Sequence, residues 1–257
     1  APHGNDFVAI DAGDWHSLAL RSDGTIVSWG DDISGQLILP EGHYTAIVAG
    51  SEHNLALRYD GTIIGWGLNY FGEATAPGGD EFMAIDAGRY YSVALLYDNS
   101  IYGWGDEHAD VADLPVGDGF EAVALGPFHG LAIRYHAIVG WGQNQYSQAT
   151  APGSGGFIAV AVGDYHSLAL RSDGSIVGWG RNEYGQAMAP EGEYIAIAAG
   201  QSHSLALRSD GSIVGWGNNE YGQAIPPEGN DFIAIAAGNL HSLAIRKEPS
   251  ADEPIGD

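Results

Sequence analysis

Six histidines recur at one position of a repeating unit: His16, His53, His129, His166, His203 and His241, with Tyr91 in the remaining copy. A ring of imidazoles is the raw material of a metal centre. The spacing argues against one here, because one histidine per unit puts the side chains on separate structural elements rather than around one ion. The expectation is instead a repeated hydrogen bond from each ring to backbone of its own or a neighbouring unit, a role that the phenol of Tyr91 can share. The paired acids Asp31-Asp32 and Asp80-Glu81 read as solvated loop charges. The Asp-Gly pairs lack the further oxygen ligands of a calcium loop. No Gly-x-Ser-x-Gly elbow, His-Glu-x-x-His pair, phosphate loop or dinucleotide fingerprint occurs. The chain therefore reads as a non-enzyme, with no catalytic residue, metal ligand or cofactor site assigned.

The elements that carry these residues repeat with a period of 37 or 38 residues. Each unit opens on a glycine, at Gly13, Gly50, Gly88, Gly126, Gly163, Gly200 and Gly238, and six units carry a tryptophan before a glycine, at Trp29, Trp66, Trp104, Trp141, Trp179 and Trp216. Such a period signals one supersecondary unit that cannot bury its apolar face alone. Residues 194–231 are a clean copy. Tyr194 to Gly200 alternates larger and smaller apolar residues, His203 to Arg208 places leucines two apart, and Asp210-Gly211 is a hairpin signal. Ile213 to Gly217 then returns antiparallel, and Gln223–Ile225 is a candidate fourth strand. The fold class is all-β, a seven-bladed β-propeller whose ring protects its sheet edges. Residues 1–246 form one propeller, and 247–257 an acidic tail expected to be flexible. Seven openings but six tryptophans predict that one blade lacks its third strand: either the terminal blade is short, the favoured reading, or a segment before residue 1 or a second molecule supplies the strand. Unit four departs at Arg134-Tyr135-His136-Ala137, which replaces the Asp-Gly hairpin and is one residue shorter.

The charge is lopsided, with 33 acidic residues against nine Lys or Arg and a formal net charge of −24. That field repels a phosphate backbone, so nucleic acid is not an expected partner. No apolar run is long enough to span a bilayer, so no membrane insertion is expected, and no signal peptide is recognisable. With no cysteine, an extracellular or cell-surface location is compatible and is the expectation.

Gly-x-x-His-Ser-Leu-Ala-Leu, followed by Asp-Gly and Gly-Trp-Gly-x-Asn-x-Tyr-Gly-Gln, resembles the repeat of the regulator of chromosome condensation family. It is most similar to the bacterial branch that includes β-lactamase inhibitor protein II. The resemblance implies a seven-bladed propeller, and that the two residues between glycine and histidine lie at one mouth and carry contacts. The second of them is Trp15, Glu52, Tyr90, Phe128, Tyr165, Ser202 or Leu240. With Tyr70 and Phe71 from the loop after one Gly-Trp-Gly, the expected partner-binding set is Trp15, Glu52, Tyr70, Phe71, Tyr90, Phe128, Tyr165 and Leu240. The function this implies is recognition of a protein partner through an aromatic-rimmed mouth, with enzyme inhibition the concrete form, in a secreted bacterial protein. Two alternatives stay open: a structural or assembly module that self-associates through the incomplete blade, and a carbohydrate-binding propeller. The light-sensing tryptophans of a plant photoreceptor of this family resemble the pair before the histidine, where this chain has only Trp15.

Overall fold

A computed structural model describes residues 2, 4, 6–107, 113–153 and 155–247. These form twenty strands in seven antiparallel sheets. Blade one comprises Phe7–Ala12, His16–Arg21 and Ile26–Gly30, and blade six Tyr194–Ala199, His203–Arg208 and Ile213–Gly217. Among the described residues blade seven has Phe232–Ala237 and Ser242–Arg246, the two-stranded sheet expected from the missing tryptophan. Residues Gln223–Ile225 form a turn rather than a fourth strand, so the intact blades are three-stranded. The tail beyond Lys247 lies outside the described residues.

Middle strands are buried on both faces because each is sandwiched between blades. Leu18 and Leu20 pack against Tyr44, Ile47 and Ala56 of the next blade, and Leu168 and Leu170 against Tyr194 and Ala206. A large residue thus meets a small one across the six interfaces from blades one–two to six–seven, which is the packing reason for Leu-Ala-Leu. The inner strands contact one another around the axis, and the first meets both strands of blade seven.

The opening glycines form the innermost turn of the ring. A Cβ on Gly13 would lie 2.3 Å from the carbonyl oxygen of Gly50, one on Gly50 2.6 Å from that of Gly88, and so on round to Gly238, whose Cβ would lie 2.4 Å from the oxygen of Gly13. Close approach, not a special φ, demands glycine here, and the series closes on itself.

The short hairpin of unit four is explained by its backbone. Tyr135 and His136 both adopt positive φ, 52° and 59°, between the paired residues Arg134 and Ala137. Two consecutive left-handed residues make a type I′ turn, one residue shorter than the Ser172-Asp173-Gly174 turn of blade five.

Candidate binding mouth

The histidines are part of the wall between blades. His166 Nε2 lies 2.9 Å from Ser204 Oγ of the next blade, and the same bond joins His129 to Ser167 (2.7 Å), His203 to Ser242 (2.9 Å) and, across the closure, His241 to Ser17 (2.9 Å). Each acceptor is a side chain of the following blade, so the expected bond to backbone is corrected. Ser204 Oγ in turn donates to the carbonyl of Gln186 at 2.9 Å, which also accepts the Trp216 indole N–H at 2.8 Å. A serine that donates onward must accept from the imidazole, so Nε2 carries a proton. Burial holds His53 and His166 near 3 and His129 and His203 near 4, and these rings stay uncharged at neutral pH. Tyr91 departs from the pattern: it packs with Val93, Leu125 and Trp141 in an apolar cluster. The residue that would answer it in blade four is Gly130, without a hydroxyl.

The variable pair before each histidine is tied to the loop that follows the outer strand. Asp31 N–H donates to the carbonyl of Trp15 (3.0 Å), Gln143 to Phe128 (2.8 Å) and Arg181 to Tyr165 (2.8 Å). Those loops hold their own shape: in blade five Gln186 Oε1 accepts from Tyr184 N–H and Asn182 Oδ1 from Ala187 N–H. Both variable segments therefore share one end of the ring, and the loops of blades one, two and four lean toward the pair of the next blade.

That leaning builds two aromatic clusters. Phe128 stacks on Tyr165 with centroids 4.9 Å apart, Tyr146 meets Tyr165 edge-on at 5.6 Å, and the Arg181 guanidinium lies over both tyrosines. Phe71 packs on Tyr90 at 5.3 Å, with Arg89 over the Tyr90 ring. Of the expected contact residues, the structure thus joins Phe71 to Tyr90 and Phe128 to Tyr165. Trp15 is 55% exposed and Tyr70 84% exposed at the same end. Glu52 is half-buried and accepts from Ser34 Oγ at 2.8 Å, which ties it to the loop of blade one. Leu240 is half-buried at the matching position of blade seven. Sequence reasoning missed Tyr146 and Arg181. The signal was present, because Tyr146 shares with Phe71 the aromatic position of the Asn-x-Tyr-Gly-Gln loop.

Below the mouth the axis encloses about 260 Å³, lined by the inner strands and by Asp11, Asp14, Asp86 and Asp164. Asp11 accepts from Ala49 N–H of blade two (2.7 Å) and Asp86 from Leu125 N–H of blade four (2.7 Å). Each also accepts from the residue that follows it, Ala12 or Ala87. Burial pushes Asp11 up to about 6. Burial first, then the charge of Asp11, pushes Asp86 up to about 7. Burial and the charge of Asp14 do the same to Asp164, also to about 7, with Arg89 opposing. Among the described residues no group of three or more His, Asp or Glu is placed to hold a metal ion.

The sequence profile of the regulator of chromosome condensation (RCC1) repeat matches residues 7–36, 44–73, 157–186 and 194–223. Among curated proteins, none matches the sequence of this chain. Solved structures do match its shape. Prp20p of Saccharomyces cerevisiae, described with its binding to Gsp1p and histones, is 17% identical over 96% of this chain and 83% of its own, with a TM-score of 0.82. The ectodomain of the Physcomitrella patens receptor kinase CR4 is 20% identical over 95% and 72%, with 0.80. Human WBSCR16 is 16% identical over 96% and 88%, with 0.79. At these identities the likeness is one of fold.

Proposed function

Because this chain is a propeller carrying RCC1 repeats, we propose that it is a non-enzymatic binding protein whose mouth recognises another protein, inhibition of an enzyme being the most concrete form. Propellers of this kind commonly bind proteins, as Prp20p does Gsp1p and histones. The observation behind the reading is the cluster of Phe128, Tyr146, Tyr165 and Arg181, in which three rings and a guanidinium from two blades form one surface. Aromatic residues and arginine dominate interface hot spots because they bury much area at small entropic cost.

The test is a triple variant, Trp15→Ala, Phe128→Ala and Tyr165→Ala, beside the unchanged protein in affinity capture from the secreted fraction of the source organism. A captured protein should be lost with the variant while its thermal midpoint stays close to that of the parent. With hot-spot residues worth ~2 kcal/mol each, the affinity should fall at least ~30-fold. Equal capture by both proteins would remove the mouth from the account.

A further inference from the structure

Six of the seven blades end their middle strand on an arginine that the fold uses in one way. Arg21, Arg58, Arg134, Arg171, Arg208 and Arg246 each lie over the aromatic ring that opens the inner strand of the same blade, between 4.8 and 6.0 Å from its centroid. In blades one and seven the same arginine also pairs with the carboxylate just before that ring, Asp6 at 3.6 Å and Asp231 at 3.1 Å. Blade three keeps the ring, Phe82, and the carboxylate, Glu81, but has Leu96 in place of the arginine. Glu81 is exposed and makes no ion pair among the described residues.

The next residue along varies in a way the scaffold does not require. It is tyrosine in blades two, three and four, at Tyr59, Tyr97 and Tyr135, serine in blades one, five and six, and Lys247 in blade seven. The middle strand runs from its histidine at the mouth to this residue, so the three tyrosines stand on neighbouring blades at the opposite end of the ring. They are 73%, 65% and 67% exposed. Among the described residues neither Tyr59 nor Tyr97 makes a side-chain hydrogen bond or a ring contact. Single exposed aromatics are ordinary, but three in register on adjacent blades make a surface. Tyr97 N–H donates to the carbonyl of Glu81 at 3.0 Å, so Tyr97 and the unpaired carboxylate are direct neighbours. Tyr135 shows what such a ring accepts, since the Arg134 guanidinium lies 5.6 Å from its centroid.

We propose that the hairpin end of blades two to four is a docking surface for an arginine-bearing segment of a partner protein, in which one guanidinium pairs with Glu81 beside Tyr97 while Tyr59 and Tyr135 flank it. A planar guanidinium can pair with a carboxylate and stack on an aromatic ring at once, and blades one and seven make that double contact internally. Charge favours the same occupant. Asp60, Glu81 and Asp98 are exposed here, while Arg58 and Arg134 already lie over Tyr44 and Phe120. A basic segment is also drawn in by a net charge of −24. A second copy does not supply the segment. Six of its nine Lys and Arg belong to the stacked series, and two molecules at −24 repel. The surface lies at the other end of the ring from the aromatic mouth and does not rest on the function proposed for it.

The test uses the full chain and a labelled peptide, Gly-Arg-Gly-Arg-Gly-Arg-Gly, read by fluorescence anisotropy at low ionic strength, where surface charge is least screened. Binding should weaken about fivefold to tenfold in a Tyr59→Ala, Tyr97→Ala double variant, and about twofold to fivefold in Glu81→Gln. These three positions are exposed, so the variants should keep the thermal midpoint of the parent. Leu96→Arg restores the cation of the other blades beside Glu81 and should weaken binding as well. The mouth variant Trp15→Ala, Phe128→Ala, Tyr165→Ala should bind the peptide like the parent. The lysine counterpart of the peptide should bind more weakly than the arginine one, because an ammonium cannot stack as a guanidinium does. No binding at millimolar peptide, undiminished binding to the double tyrosine variant or to a folded Leu96→Arg, or equal binding of the two peptides would overturn the proposal. So would loss of binding in the mouth variant, or a dimer that forms through this end and excludes the peptide.

Discussion

Substituting a ring glycine tests the closed wheel most directly. An alanine Cβ at Gly200 would sit 2.3 Å from the carbonyl oxygen of Gly238 and 2.4 Å from His203 Cε1, far inside the 3.0 Å that real Cβ contacts respect. The obstruction is backbone of the next blade, so relief requires two blades to part by more than half an ångström along a packed interface. Overpacking a tight core costs typically 1–3 kcal/mol even where side chains can give, so Gly200→Ala should cost about 3 kcal/mol or more. For a chain of this size that is a fall in thermal midpoint of roughly 6–12 °C. Gly78 is the control, with open space around its would-be Cβ, and its alanine variant should lie within about 0.5 kcal/mol of the parent. Gly238→Ala probes closure itself, because its clash is with Gly13 at the far end of the chain. It should cost as much as Gly200→Ala. Gly88→Ala should cost less, since its nearest atom is 2.7 Å away and Tyr91 offers no ring atom close by. The assay is urea denaturation with a constant m-value. Gly238→Ala as mild as Gly78→Ala would refute the closed ring.

Ser204→Ala leaves the His166 Nε2–H buried without its acceptor, while Gln186 keeps the Trp216 bond. It should cost about 1–3 kcal/mol in the same denaturation assay. Asp86→Asn should gain stability relative to the parent as the pH rises. A carboxyl raised to about 7 in the folded state contributes stability that is fully present below its unfolded value of about 4 and lost as the pH climbs through 7. Denaturation at pH 5 and pH 8 should therefore show the Asn variant gaining roughly 2–3 kcal/mol between the two, and a pH-independent difference would contradict the assignment.

Much of the fold is legible because the repeat period writes it out. Strand alternation, the Asp-Gly turns and the missing seventh tryptophan lead to three-stranded blades and one of two strands. The histidine bonds were not read correctly, since their partners lie one period away. The clue was nevertheless in the residues. The one unit with tyrosine for histidine, at Tyr91, precedes the one unit with glycine for serine, at Gly130, and the two changes belong to one interface. The channel carboxylates were missed for a different reason. Asp11 and Asp86 stand where other units have valine or alanine, and only the twist of the ring shows that each reaches the backbone of the next blade. The aromatic pairs Phe71–Tyr90 and Phe128–Tyr165 were legible as surface residues, but their contacts depend on loops that lean across a blade boundary.

The repeated residues are consumed by the scaffold. Glycines let the backbones approach, histidine and serine join neighbouring blades, and tryptophan closes the gap from the outside. Each of these needs a neighbour in the ring, and the glycine and histidine series both run through blade seven back to blade one, at Gly238 against Gly13 and His241 against Ser17. The residues free of such duties are those that vary from blade to blade. At the position before the histidine the aromatic ones are Trp15, Tyr90, Phe128 and Tyr165 on blades one, three, four and five, whereas blades two, six and seven offer Glu52, Ser202 and Leu240; the loop position of Phe71 and Tyr146 carries exposed tyrosines, Tyr184 and Tyr221, on blades five and six as well.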